Sequence, residues 1–120
     1  MPRIISGSLR GINLQTPAGR DTRPTSDRTK EALFSILGPD IETAKVLDLF
    51  AGSGQIALEA LSRGAASAVL CETDRPALKA LFANIEKTRT SDRVRVYTYD
   101  AGRLLKKLAG ENYIFDFIYL

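Results

Sequence analysis

The chain of 120 residues has no histidine, no tryptophan, one cysteine and one methionine. A lone cysteine excludes an internal disulfide, and without histidine there is no Cys/His cluster for zinc, so no metal is expected. Cys71 ends an apolar run and reads as core packing, not as a nucleophile. A membrane-spanning helix takes about 20 apolar residues, and no run approaches that. The opening MPRIISGSLR has no apolar region behind its basic residue, so no signal peptide is expected, and cytoplasm is the expected location. Apolar residues at 44% and charged residues at 26% are ordinary for a soluble domain. The length suits one domain with a real core but is short for a complete doubly wound enzyme.

The stretch Val46 to Gly54, VLDLFAGSG, is the most informative. A short apolar run ends in Asp48, and two glycines two apart open a segment whose Ile56, Ala57, Ala60 and Leu61 recur at helical spacing, predicting strand, tight turn and helix. Gly52 and Gly54 have no Cβ, so a ligand can lie against the backbone there. GSGQIA satisfies the dinucleotide pattern G-x-G-x-x-G/A, and Glu72 follows at roughly the 20-residue spacing of a ribose-binding acid, which makes a nicotinamide dinucleotide one candidate. Asp48 weighs against it, because a carboxylate beside the turn repels a pyrophosphate. S-adenosylmethionine has no phosphate and carries an α-ammonium and a sulfonium, so it complements that carboxylate.

The remainder alternates. Ile4–Leu9 and Ile12–Leu14 predict an N-terminal β-hairpin about Arg10 and Gly11, followed by a polar loop from Gln15 to Pro24. Ser26 or Asp27 caps a helix with Leu33, Phe34, Ile36 and Leu37 on one face, stopped by Gly38 and Pro39. Strands are expected at Ala68–Glu72, Val94–Tyr99 and Ile114–Leu120. Helices follow the first two of these, one capped by Asp74 and carrying Leu78, Leu81, Phe82 and Ile85, the other started by Asp100 and carrying Leu104, Leu105 and Leu108. This rhythm predicts an α/β fold with a parallel sheet and helices on both faces, which sets Asp48, Glu72 and Asp100 together on the rim where the strands end. There an acid after the second strand can take ribose hydroxyls, one after the third can accept from an adenine amine, and the Ala101 N–H can reach a ring nitrogen. Helix capping alone explains Asp100 equally well.

Charge is uneven. Residues 1–30 hold six cations, Arg3, Arg10, Arg20, Arg23, Arg28 and Lys30, against Asp21 and Asp27, while the rest is nearly neutral. Such an arm suits a polyanion, with a solvated surface loop as the plain alternative. Arg28 and Lys30 fall in a first helical turn, where cations oppose the helix dipole and a phosphate would relieve them.

Taken together, RIISGSLRG, TRPTSDRTKEALFSILG, VLDLFAGSG, LEALSRGA and the CETD and YDA positions resemble the RsmD-type methyltransferases, which modify the 2-amino group of a guanine (position 966) in bacterial 16S ribosomal RNA. The resemblance runs the full chain and implies a Rossmann-like S-adenosylmethionine-dependent methyltransferase fold. It implies cofactor contacts from Asp48, Phe50, Ala51, Gly52, Ser53, Gly54, Glu72, Thr73, Asp100 and Ala101, with Arg10, Arg23, Thr25 and Arg28 toward the RNA. Residues 1–44 would then face 16S ribosomal RNA or the small ribosomal subunit, and residues 45–120 would form the cofactor-binding half of a single domain. The family's D-P-P-Y or N-P-P-Y loop does not occur in these residues, which end at FDFIYL. The expectation is therefore a cofactor-binding N-terminal portion, truncated after the fourth core strand, without catalytic residues and inactive alone; the alternative is a non-catalytic cofactor- or RNA-binding module that needs a partner chain. An apolar last strand left at the edge invites self-association.

Overall fold

The computed structural model describes residues 2–17 and 26–120. In order these form α1 (Asp27–Leu37), β1 (Lys45–Asp48), α2 (Gln55–Ser62), β2 (Ser67–Cys71), α3 (Arg75–Thr88), β3 (Val94–Tyr97), α4 (Ala101–Gly110) and β4 (Phe117–Tyr119), with 3-10 turns at Gly38–Ile41 and Ser91–Arg93. Three helices start where a side-chain oxygen takes an orphan N–H: Ser26 from Thr29, Asp74 from Ala77 and Asp100 from Arg103, at 3.0–3.1 Å.

All strand pairs are parallel, in the order β3-β2-β1-β4. The chain winds outward from β1 through β2 to β3, then crosses back to place β4 on the other side of β1. Period-two alternation divides the core. Val46, Ala68 and Leu70 face a cluster with Phe34, Ile56, Leu58, Leu61 and Leu81, while Leu47, Val69 and Cys71 face Leu104 and Leu108 of α4. Cys71 is thus packed inside as expected, its thiol donating to the Tyr99 carbonyl at 2.9 Å and its pKa pushed up by burial.

The expected N-terminal hairpin is reduced to a single antiparallel bridge between Arg3 and Asn13, with no strand at 4–9 or 12–14. The Ile4, Gly11 and Leu14 N–H groups still bond across the turn, to the Ile12, Ile4 and Pro2 carbonyls, but other donors go elsewhere: the Ile5 and Ser6 N–H groups bond the Glu59 carboxylate at 2.9 and 3.1 Å, and those of Ser8 and Leu9 bond the Ser62 carbonyl and Oγ at 2.8 and 2.9 Å. A ladder cannot use N–H groups that α2 already holds. Gly7 permits this docking, with φ +91° and the Ser62 carbonyl where a Cβ would stand. Gly7→Ala is expected to cost about 2–4 kcal/mol, combining left-handed strain with overlap against backbone. Urea denaturation checks this, and a loss below about 1 kcal/mol would show that the segment is not seated on α2 in this way.

Two expectations for α1 are corrected. Ile36 is 83% exposed, because it lies two residues, some 200° around the helix, from the buried anchor Phe34. Lys30 is not an exposed first-turn cation. It shares the buried face with Phe34 at i, i+4 and is 0% exposed, its Nζ donating to the Arg3 carbonyl at 2.8 Å and lying 3.7 Å from Glu59 Oε1. The last two strands are shorter than expected, β3 stopping at Tyr97 and β4 spanning only Phe117–Tyr119.

Candidate functional site

The site is the rim where β1, β2 and β3 end. After β1 the chain turns sharply, the Ala51 N–H bonding the Cys71 carbonyl at 3.0 Å and the Gly54 N–H bonding that of Ala51 at 2.9 Å. Gly54 holds φ +89°, and a Cβ on it would stand 2.5 Å from Leu81 Cδ1, so α3 packs directly against the turn. Gly52, at φ +57°, has nothing within 4 Å of where its Cβ would be, which leaves that side of the turn open to a ligand.

Glu72 latches the turn from the end of β2. Its Oε1 accepts the Gly52 N–H at 2.8 Å, and its Oε2 accepts those of Thr73 and Asp74 at 2.9 Å each. A carboxylate offers about four acceptor sites, so one remains, and taking both hydroxyls of a diol requires one N–H to be shared or released. Asp100 caps α4 through Oδ1, which fits the capping explanation and leaves Oδ2 available. Phe50, Glu72, Thr73, Asp100 and Ala101 line one cavity of about 90 Å³ together with Leu49 and Cys71. Phe50 is 67% exposed beside it and offers an aromatic face for stacking. Ala51 and Ser53 are buried, so what they present is backbone.

Asp48 lies inside, 1% exposed, with Oδ1 accepting the Phe50 N–H at 3.1 Å. No cation among the described residues pairs with it, and burial raises its pKa from 3.8 to about 6, the neighbouring Glu72 charge adding to the shift. Next to the turn, Gln55 Oε1 is buried with no hydrogen-bond partner. Beside the glycines there are thus a buried carboxylate held by one backbone N–H with no cation among the described residues, and a buried amide oxygen with no donor. That set fits a ligand group rich in N–H and positive charge, and it does not fit a pyrophosphate.

The basic residues are not gathered at this rim in the same way. Arg10 and Arg28 are exposed, Arg28 in the first turn of α1, and Arg23 and Thr25 lie outside the described residues. Sequence reasoning missed Gln55, Glu59 and Asn84, all buried polar residues next to apolar helix positions. A polar side chain on an apolar stripe was the signal that could have found Glu59 and Asn84.

A protein named ribosomal RNA small subunit methyltransferase D, from Escherichia coli K12, is 42% identical over 94% of this chain and 57% of its own length. The chain thus spans a little over half of that relative. A hypothetical protein of Thermus thermophilus superposes with a TM-score of 0.85 at 33% identity, covering 98% of this chain and 67% of that one. An RNA methyltransferase from Salinibacter ruber, solved in complex with S-adenosyl-L-homocysteine, shares the fold at 23% identity, with a TM-score of 0.59 over 67% of this chain and 52% of that one. The family model described as "Conserved hypothetical protein 95" matches residues 2–120, and with these relatives it establishes that the chain belongs to the RsmD methyltransferase family.

Proposed function

We propose that this chain is the S-adenosylmethionine-binding portion of an enzyme that methylates the 2-amino group of a guanine in 16S ribosomal RNA. The observation that carries the reading is Asp48, a buried carboxylate without a cation among the described residues, beside an open glycine turn. In this reading Asp48 and the Gln55 amide oxygen face the cofactor's ammonium end. Glu72 takes the ribose hydroxyls, Phe50 and Thr73 flank the nucleoside, Asp100 accepts from the adenine amine, and Ala101 offers its N–H to the ring. The Gly52–Gly54 turn supplies backbone, and Ala51 and Ser53 shape it. Bound there, the sulfonium supplies a methyl group for direct displacement, which needs alignment more than acid–base catalysis.

Residues 1–44 are assigned to the RNA, or to a small-subunit particle in the cytoplasm, through Arg10, Arg28 and the sequence positions Arg23 and Thr25. The D/N-P-P-Y-type loop does not occur in these 120 residues, so the chain alone is expected to bind and not to turn over. Titration with S-adenosylhomocysteine in a calorimeter, with NAD in parallel, tests the site. One-to-one binding of the first and none of the second is expected, and the reverse would overturn the reading. Self-association is part of the same proposal, because among the described residues β4 pairs only with β1 and carries Ile118, exposed on an apolar groove of about 80 Å³ with Leu33, Leu37 and Phe117 on its walls. Gel filtration is expected to show a dimer that Ile118→Lys converts to a monomer; a monomeric wild type would refute this part.

A further inference from the structure

Asn84 sits on α3 with 0% exposure, and its side chain is committed to two segments distant in sequence. Oδ1 accepts the Gln15 N–H at 2.8 Å, and Nδ2 donates both to the Gln15 carbonyl at 3.0 Å and to the Ser53 carbonyl at 2.9 Å. The amide orientation follows from the chemistry, since a flipped group would oppose donor to donor and acceptor to acceptor. Both N–H donors are used. Satisfying one buried carbonyl would need only one of them, yet this side chain joins the carbonyl between the two glycines to Gln15, inside the basic stretch of residues 1–30.

The helix makes this a rigid joint. Leu81, three residues before Asn84 and on the same face, fills the space against Gly54, so α3 holds both Ser53 and Gly54. The Asn84 carbonyl in turn accepts the Thr88 hydroxyl at 2.8 Å, and Thr88 pairs with Thr90 at 3.0 Å, all buried. On the outer side, Gln15 and Thr16 line a groove of about 470 Å³ with Arg75 and Lys79 of the same helix.

We infer that Asn84 is a positioning residue that couples the glycine turn to Gln15 of the basic N-terminal arm. A ligand that orders the turn also fixes Gln15, and by reciprocity a polyanion held along the basic segment steadies Ser53. The inference rests on the cofactor and RNA reading above and adds the route by which the two sites sense each other.

Backbone hydrogen exchange on the full chain tests it. In the wild type, S-adenosylhomocysteine is expected to slow exchange at least threefold both in residues 49–55 and in 12–17. In Asn84→Ala, checked for folding by its melting transition, the 49–55 response should persist and the 12–17 response vanish. An Asn84 that merely supported the fold would raise exchange in both states and leave the transmitted response intact, and that result overturns the coupling. Should the ligand protect neither segment in the wild type, the cofactor reading falls, and the coupling is then decided without ligand. Gln15→Pro, which deletes the N–H given to Asn84, is expected to speed exchange of the Gly52 and Gly54 amides about threefold while leaving β2 unchanged. Unchanged glycine amides in that variant refute the coupling.

Discussion

Glu59→Ala is expected to remove about 3–5 kcal/mol of stability, the range seen when one partner of a buried charge pair is deleted. Glu59 is 0% exposed and holds four groups: the Lys30 ammonium at 3.7 Å, the Arg63 guanidinium at 3.0 Å, and the Ile5 and Ser6 N–H groups. Alanine would leave Lys30, equally buried, without the carboxylate beside it, keeping the Arg3 carbonyl as its hydrogen-bond partner among the described residues. Burial already lowers the Lys30 pKa, and Glu59, followed by Asp27, is the charge that opposes this. Arg63 keeps a second contact over the Phe34 ring at 4.7 Å and suffers less. For a domain with a total stability of about 5–15 kcal/mol the loss is severe, and residues 2–14 should gain hydrogen exchange well before the sheet does. Lys30→Met should cost less, about 2 kcal/mol, because Glu59 retains Arg63 and both N–H groups. A Glu59→Ala protein within about 1 kcal/mol of wild type in urea would mean that this cluster does not hold the N-terminal segment in place.

Asp48→Asn should move stability and ligand affinity in opposite directions. The folded protein binds a proton at Asp48 more tightly than the unfolded chain, with a pKa of about 6 against 3.8. The stability associated with this group is therefore complete below pH 3.8 and lost as pH rises through 6, amounting to about 3 kcal/mol by pH 7 at 1.36 kcal/mol per unit. Asparagine keeps the oxygen that accepts the Phe50 N–H and removes the charge. The variant should thus be about 1–2 kcal/mol more stable at pH 7 and no more stable at pH 4. A ligand that presents an ammonium to Asp48 reverses the advantage. Binding of S-adenosylhomocysteine, whose ammonium favours the ionised carboxylate, should tighten about tenfold from pH 5 to pH 7 in the wild type, as expected for a carboxylate that must lose its proton to bind. The same titration of Asp48→Asn should be flat with pH and about tenfold weaker at pH 7. Equal affinity in the two proteins would reduce Asp48 to a support for the Phe50 backbone and remove the observation on which the functional proposal stands.

The glycine turn, the order of strands and helices and the acids at their ends were legible in the sequence because each rests on short-range physics. Period-two and period-3.6 apolar spacing, caps at Ser26, Asp74 and Asp100, and glycines at positive φ are decided within a few residues. The parallel arrangement then brings Glu72 and Asp100 to one cavity, as the alternation predicts, whereas Asp48, expected beside them, is buried and does not line it. What the sequence could not decide is where polar groups find their partners when those lie 27 to 69 residues away. Lys30 reads as a first-turn cation until α2 brings Glu59 beside it, Ile4–Leu9 reads as a strand until that carboxylate and Ser62 claim four of its N–H groups, and Asn84 carries no signal until Gln15 and Ser53 close on it. Burial forces each buried donor and acceptor to be matched, and only the packed tertiary structure determines which distant group supplies the match.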